Sequence, residues 1–188
     1  YTSLSNAIGY EINLDGNIIF QTPSYDNENN SINNIHHDLT KTNNKTYFGL
    51  TNIVEVNDCP IECPPEADLI FPNGVIWEGD KILEFDSNGN VTWDWSLFEY
   101  INMNSYNSFY AENMGPHNGY ILDWTHSNEV FYDENDNAVY LSIRNLNTIT
   151  KIDYETKEII WHLGDLDTLG NNSYFNNHPS FNSQHTPI

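Results

Sequence analysis

One unit recurs three times in this 188-residue chain: a short alternating strand, an Asp-led turn, and a second strand that ends on an aromatic residue. The copies are Tyr10–Phe20, Ile82–Trp93 and Thr150–Trp161, and their turn residues Asp15, Asp86 and Asp153 stand 71 and 67 residues apart. Alternation around a polar turn is a β-hairpin signal. A fixed period of about 70 residues is the mark of a repeat architecture. Between the hairpins a looser pattern also repeats: a histidine, a polar turn, then an aromatic-rich strand. His37 leads to Asn43–Lys45 and Tyr47–Leu50, and His126 leads to Asp133–Asn137 and Val139–Ser142.

Four strands per repeat predict an all-β fold, a β-propeller of four-stranded blades, with tandem β-sandwich modules as the competing architecture. The chain reads as one partial propeller domain over 1–188, with repeat hairpins near 10–21, 82–95 and 149–162. About three blades are present, whereas closed propellers hold about four to eight. Tyr1 and Ile188 are therefore expected to be cut edges of a ring, unless copies close it by self-assembly as a homo-oligomer. The 30 asparagines agree with this reading, because Asn competes for local backbone hydrogen bonds and favours turns over helix interiors. The only helix expected is a short one at Trp95–Ile101. The polar stretches Tyr25–Asn34 and Asn102–Asn118 read as inter-strand loops.

Charge narrows the partners. With 27 acidic against 6 basic residues, a net charge of -21, the chain repels nucleic acid and anionic membrane, both of which need clustered Lys and Arg. No apolar run reaches the length of a membrane span, and no signal-peptide pattern is visible; a start at Tyr1 is expected of a processed or excised segment. Cys59 and Cys63, in Cys-Pro-Ile-Glu-Cys, are too few for a four-ligand zinc site and wrongly spaced for a redox Cys-x-x-Cys. They read as a local disulfide in an oxidising compartment or as two unpaired loop thiols.

Arg144 is the only arginine. It either pairs with surface carboxylates or offers its planar fork of donors to a carboxylate, phosphate or sulfate. It follows His126 by 18 residues, and one hairpin (Val130–Tyr132, turn, Val139–Ile143) joins the two, so both converge at one end of a blade. His37, His126 and His185 each follow a hairpin aspartate, by 22, 40 and 32 residues. At matching phase in a propeller they face one central channel. Such imidazoles act as nucleophile, acid/base or metal ligand, or are satisfied structural residues. A metal site from His36, His37, Asp38, His126 and His185 is a rival that an arginine in the same pocket opposes. Asp133–Asn137 starts like a calcium loop, but Ala138 and Arg144 at its sixth and twelfth positions defeat that motif. No Gly-rich phosphate loop and no Gly-x-Ser-x-Gly occur.

Ile35-His-His-Asp38, Asp123-Trp-Thr-His-Ser-Asn128, Ser142-Ile-Arg-Asn-Leu-Asn147 with Lys151-Ile-Asp153, and Gln184-His-Thr186 resemble the bacterial arylsulfate sulfotransferase family, the PAPS-independent aryl sulfotransferases. The resemblance implies a six-bladed propeller with its active site in the central channel, periplasmic or secreted. It implies ping-pong transfer of a sulfuryl group from an aryl sulfate to a phenol through a sulfated histidine. The implied partners are these small molecules alone; no cofactor and no metal is implied. Carried over, His185 is the nucleophile, His126 and Arg144 hold and neutralise the sulfate oxygens, and Asn128 is a neighbouring donor. His37 is an acid/base or sulfate ligand, with His36 its next-door alternative. The chain covers a middle portion of the family pattern, in which Cys59 and Cys63 have no assigned place. The rival from another class is a non-catalytic propeller that binds ligands or partners through the same channel.

Overall fold

The computed structural model describes residues 8–23, 35–115, 119–164 and 182–185. Its framework is β-sheet. A hairpin of β1 (Tyr10–Ile12) and β2 (Ile18–Gln21) comes first. An antiparallel meander follows, of β3 (Ile35–Lys41), β4 (Tyr47–Asn57), β5 (Val75–Phe85) and β6 (Val91–Ser96), in that spatial order. β7 (Ile121–Asp123) pairs parallel with β5 at Ile76–Glu78, behind the stretch that β6 occupies. The second meander runs β8 (Ser127–Asp133), β9 (Ala138–Ile143), β10 (Thr148–Asp153) and β11 (Ile159–Gly164), again neighbour to neighbour. The three repeated sequence units are thus β1–β2, β5–β6 and β10–β11.

The turns explain why these strands pair in these registers. In Asp86–Asn90 the Asp86 carboxylate accepts from the amides of Asn88 and Asn90, and Gly89 sits at φ 84°. Asn13–Asn17 repeats that geometry, with Asn13 Oδ1 accepting from the amides of Asp15 and Asn17 and Gly16 at φ 83°. Asn13, and not the expected Asp15, is therefore the counterpart of Asp86. Asp153 leads a turn one residue longer, its Oδ1 accepting from the amides of Glu155 and Thr156. A short acceptor side chain that bonds the backbone two residues on fixes such a turn locally, before any long-range contact forms.

Among the described residues helix is confined to three short pieces, two more than expected: α1 (Pro65–Ile70), α2 (Leu97–Tyr100) and α3 (Ser108–Glu112). Only α2 falls in the anticipated Trp95–Ile101 segment, whose first two residues end β6 instead, because Trp95 and Ser96 pair with Ile82 and Lys81. α3 interrupts the stretch expected to be loop: the Asn107 side chain caps it by accepting from the Phe109 amide, a local signal that the surrounding asparagines hide. The other expected loop, Tyr25–Asn34, lies wholly outside the described residues.

Buried tryptophans tie the two meanders together. Trp77, Trp93, Trp95 and Trp124 are each at most 8% exposed. Their indole N–H groups donate to the carbonyls of Asp58, Tyr154, Lys157 and Ser105 respectively. The two from β6 thus clasp the Asp153 turn of the second meander, where a Trp brings both a large apolar area and one directional bond. Truncating such a residue to Ala costs about 3–5 kcal/mol. Gly79 in β5 has no room for a side chain: an added Cβ would lie 2.8 Å from Phe98 and 3.3 Å from Trp124. That close approach seats Trp124, and with it the segment that carries His126.

Candidate active site

In a regular strand the neighbours His36 and His37 would point to opposite faces. The β3–β4 register instead jumps from His36↔Leu50 to Leu39↔Gly49, so His37 and Asp38 form a bulge, and His37 adopts φ 58°. Both imidazoles then turn the same way, with ring centroids 5.0 Å apart and the two Nδ1 atoms at 2.7 Å. His126 repeats the device: it sits at φ 46° just before β8, whose register also slips, between Ser127 and Glu129. A left-handed non-glycine residue costs about 1–3 kcal/mol and persists only where its surroundings hold it. Here Asp38 Oδ2 accepts from the Val130 amide and from Thr40 Oγ1, both at 3.1 Å, which joins the bulge of β3 to β8.

The His37 ring is 5.3 Å from that of His126 and 5.6 Å from that of His185. His185 is presented by a segment fastened on both sides of its backbone. Asn147 Oδ1 accepts from the Ser183 amide, Asn128 Nδ2 donates to the Gln184 carbonyl at 2.7 Å, and Gln184 Nε2 donates to the carbonyls of Ile143 and Thr148. Asn128, expected to face substrate, is fully buried and uses its amide donor on this fastening.

The hairpin β8–β9 does bring Arg144 back beside His126, since Ser127 pairs with Ile143 and the Asn145 amide donates to the Thr125 carbonyl. Lys41, Lys81, Lys151 and Lys157 all pair with carboxylates. Arg144 does not: among the described residues its partners are the neutral oxygens of Tyr110, at 3.0 Å, and Asn145, at 2.9 Å. Its charge is oriented, and no carboxylate among the described residues neutralises it. This is how an anion site is prepared in a protein of net charge -21.

Asp80, at the centre of β5, organises the cluster and escaped sequence reading. It is fully buried. Its Oδ2 accepts from Thr125 Oγ1 at 2.7 Å and from the Ser127 amide at 2.6 Å, while Oδ1 takes Asn52 Nδ2 at 3.2 Å. His36 Nε2 stands 3.1 Å from the same Oδ1, facing the carboxylate without an aligned hydrogen bond. These contacts hold its carboxyl below the usual range although burial alone would raise it. Nothing in the sequence singles it out, because Glu78, Lys81 and Glu84 share the same strand.

The histidines are pushed apart electrostatically. Burial, then the neighbouring imidazoles of His36, His126 and His185, hold His37 below its ordinary value, with Asp80 opposing. The hydrogen bond from His126 Nδ1 to Asp123 Oδ2 raises His126, against burial and the Arg144 charge. Glu78 is raised by burial and then by the carboxylates of Asp123 and Asp80. The site thus combines a His37 biased toward its neutral form with a His126 biased toward its charged form and with Arg144, a division suited to an acid/base next to bound anion.

Among the described residues no group of three or more His, Cys, Asp or Glu side chains is placed to hold a metal ion. None of their helices is long and apolar enough to cross a membrane. Cys59 and Cys63 are joined as a disulfide, their Cα atoms 5.8 Å apart. Residues 1–177 match the model of the arylsulfotransferase (ASST) family. The chain belongs to that family. As an arylsulfotransferase-family protein it is a transferase of β-rich fold, and the matched span contains every residue of the cluster except His185. No curated protein matches the chain.

Proposed function

We propose that this arylsulfotransferase-family chain transfers a sulfuryl group from an aryl sulfate to a phenol through a covalent intermediate on His185. The observation that carries the reading is the convergence of His37, His126 and His185, one from each of three successive repeats, beside a guanidinium that no carboxylate among the described residues neutralises. His126 and Arg144 hold the sulfate oxygens. The His185 imidazole attacks sulfur; an N–S bond forms, the bond from sulfur to the aryl oxygen breaks, and the phenolate leaves and takes its proton from solvent. In the second half-reaction the acceptor phenol gives its proton to His37 while its oxygen takes the sulfuryl group from His185. Charge develops on the peripheral oxygens and the leaving oxygen, where one fixed donor contributes about 3–4 kcal/mol.

In this reading the two meanders and the leading hairpin are blades of a six-bladed propeller, and the cluster lies in its channel. Further chain, or a second copy, completes the ring. The disulfide accords with a periplasmic or secreted protein. The test uses an aryl sulfate that releases a coloured phenol, together with a phenolic acceptor. The protein is expected to release phenol and to gain one sulfuryl group on His185, and His185→Ala to lose both. Absence of phenol release, or full turnover in His185→Ala, overturns the reading in favour of a binding protein.

A further inference from the structure

His36 and His37 were alternatives for one role; the structure arranges them in series. The two Nδ1 atoms are 2.7 Å apart, so one must carry a proton and the other must not. The direction is set at the other end of His36. Its Nε2 faces the Asp80 carboxylate at 3.1 Å, and a bare nitrogen lone pair there would meet a negative oxygen. Asp80 is itself supplied with donors by Thr125, Ser127 and Asn52, which keep it ionised and immobile. We propose that Asp80 and His36 are positioning residues: they place the His36 proton on Nε2, so that His36 Nδ1 accepts from His37 Nδ1–H and His37 Nε2 is left as the bare, proton-accepting atom of the site.

The inference rests on the functional reading above for its use, not for its geometry. It assigns the two histidines different jobs: His37 takes the proton from the phenol oxygen, and His36 never touches substrate. When His37 Nε2 takes a proton, the resulting imidazolium already has an acceptor for its Nδ1–H, and the carboxylate one ring further on stabilises the charge. This is the logic by which an orienting group fixes a catalytic imidazole's tautomer. The left-handed backbone at His37 has its purpose here, because the bulge it forms turns two consecutive rings onto one side of the strand. Among the described residues the charged and titratable groups that face His37 are His36, His126, His185 and Asp80, and of these only His36 bonds its ring.

The test reads tautomers directly, without substrate. In the protein labelled with ¹⁵N at histidine, long-range ¹H–¹⁵N spectra near pH 8 are expected to show His36 as Nε2–H and His37 as Nδ1–H. Spectra with His37 as Nε2–H overturn the proposal, even where sulfuryl transfer is intact. Kinetics supply the second arm. His36→Leu is expected to lower kcat about 10- to 100-fold, while His36→Asn, whose Oδ1 can stand in for Nδ1 as acceptor, keeps most of it. Equal losses in the two variants overturn the positioning role. Failure of sulfuryl transfer with the stated tautomers in place would defeat the functional reading and leave the tautomer assignment standing.

Discussion

His126 Nδ1 lies 2.6 Å from Asp123 Oδ2, three residues back along the segment that leaves β7. The pair raises the His126 pKa, and its stabilisation therefore has a definite pH window. It is complete below the unfolded value of about 6.5 and is lost as pH rises through the folded value. Both side chains are about a third exposed, so solvent screening limits the pair to about 1 kcal/mol. Asp123→Asn is expected to lower the urea midpoint more near pH 6 than near pH 9. An equal loss at both would show that the charge on His126 plays no part.

Arg144 should be sensitive to shape as well as charge. Its guanidinium is held by Tyr110 and Asn145, a seat that a lysine ammonium cannot fill with the same fork of donors. Arg144→Ala is expected to reduce kcat/KM for an aryl sulfate about 10²- to 10³-fold, with Arg144→Lys recovering only part of the loss. Full recovery by lysine would reduce the residue to a point charge.

Gln184 tests whether the seat of His185 matters apart from His185 itself. Its two donated bonds anchor the segment to Ile143 and Thr148. Gln184→Ala leaves the imidazole in place chemically but loosens it, and a misplacement of about 1 Å costs roughly 10²-fold in rate. A fall in kcat of that order is expected, with a denaturation midpoint little changed. Unaltered kcat would mean that the bonds are incidental.

His162 predicts an acid limit to stability that owes nothing to the site. It is 5% exposed in β11, bonded through Nδ1 to Thr150 Oγ1, and burial pushes its pKa down to about 4. A depressed histidine pKa means that the unfolded chain binds the extra proton first. Stability from this group is present above about pH 6.5 and drains away as pH falls toward 4, by about 3 kcal/mol. His162→Gln should flatten the pH dependence of the melting temperature between those limits, and an unchanged slope would refute the assignment.

Local patterns were legible in the sequence. Alternation around Asp86 and Asp153 marks the hairpins, and the 18-residue interval from His126 to Arg144 matches a hairpin that returns to its start. The bulges at His37 and His126 were not legible, because a left-handed residue that is not glycine carries no compositional mark. Asp80 was hidden for the opposite reason. Its role comes entirely from partners on β3, β4 and the Thr125–Ser127 segment, none of them near it in sequence. Asn128 and Gln184 likewise meet only across 56 residues.

The turns at Thr42–Thr46, Asp86–Asn90, Asp133–Asn137 and Asp153–Glu158 all lie at the end of the sheets away from the histidines, and Asn43 and Glu134 even bond across two of them. The registers are thus anchored at one rim while the reactive rings occupy the other. That division makes the protein tolerant of grafting in a polarised way. A peptide tag or a whole inserted module spliced into the tip of one of these turns has a route outward that never crosses the imidazole cluster. The same insertion between Ile143 and Thr148 would unseat Arg144 and His185 together.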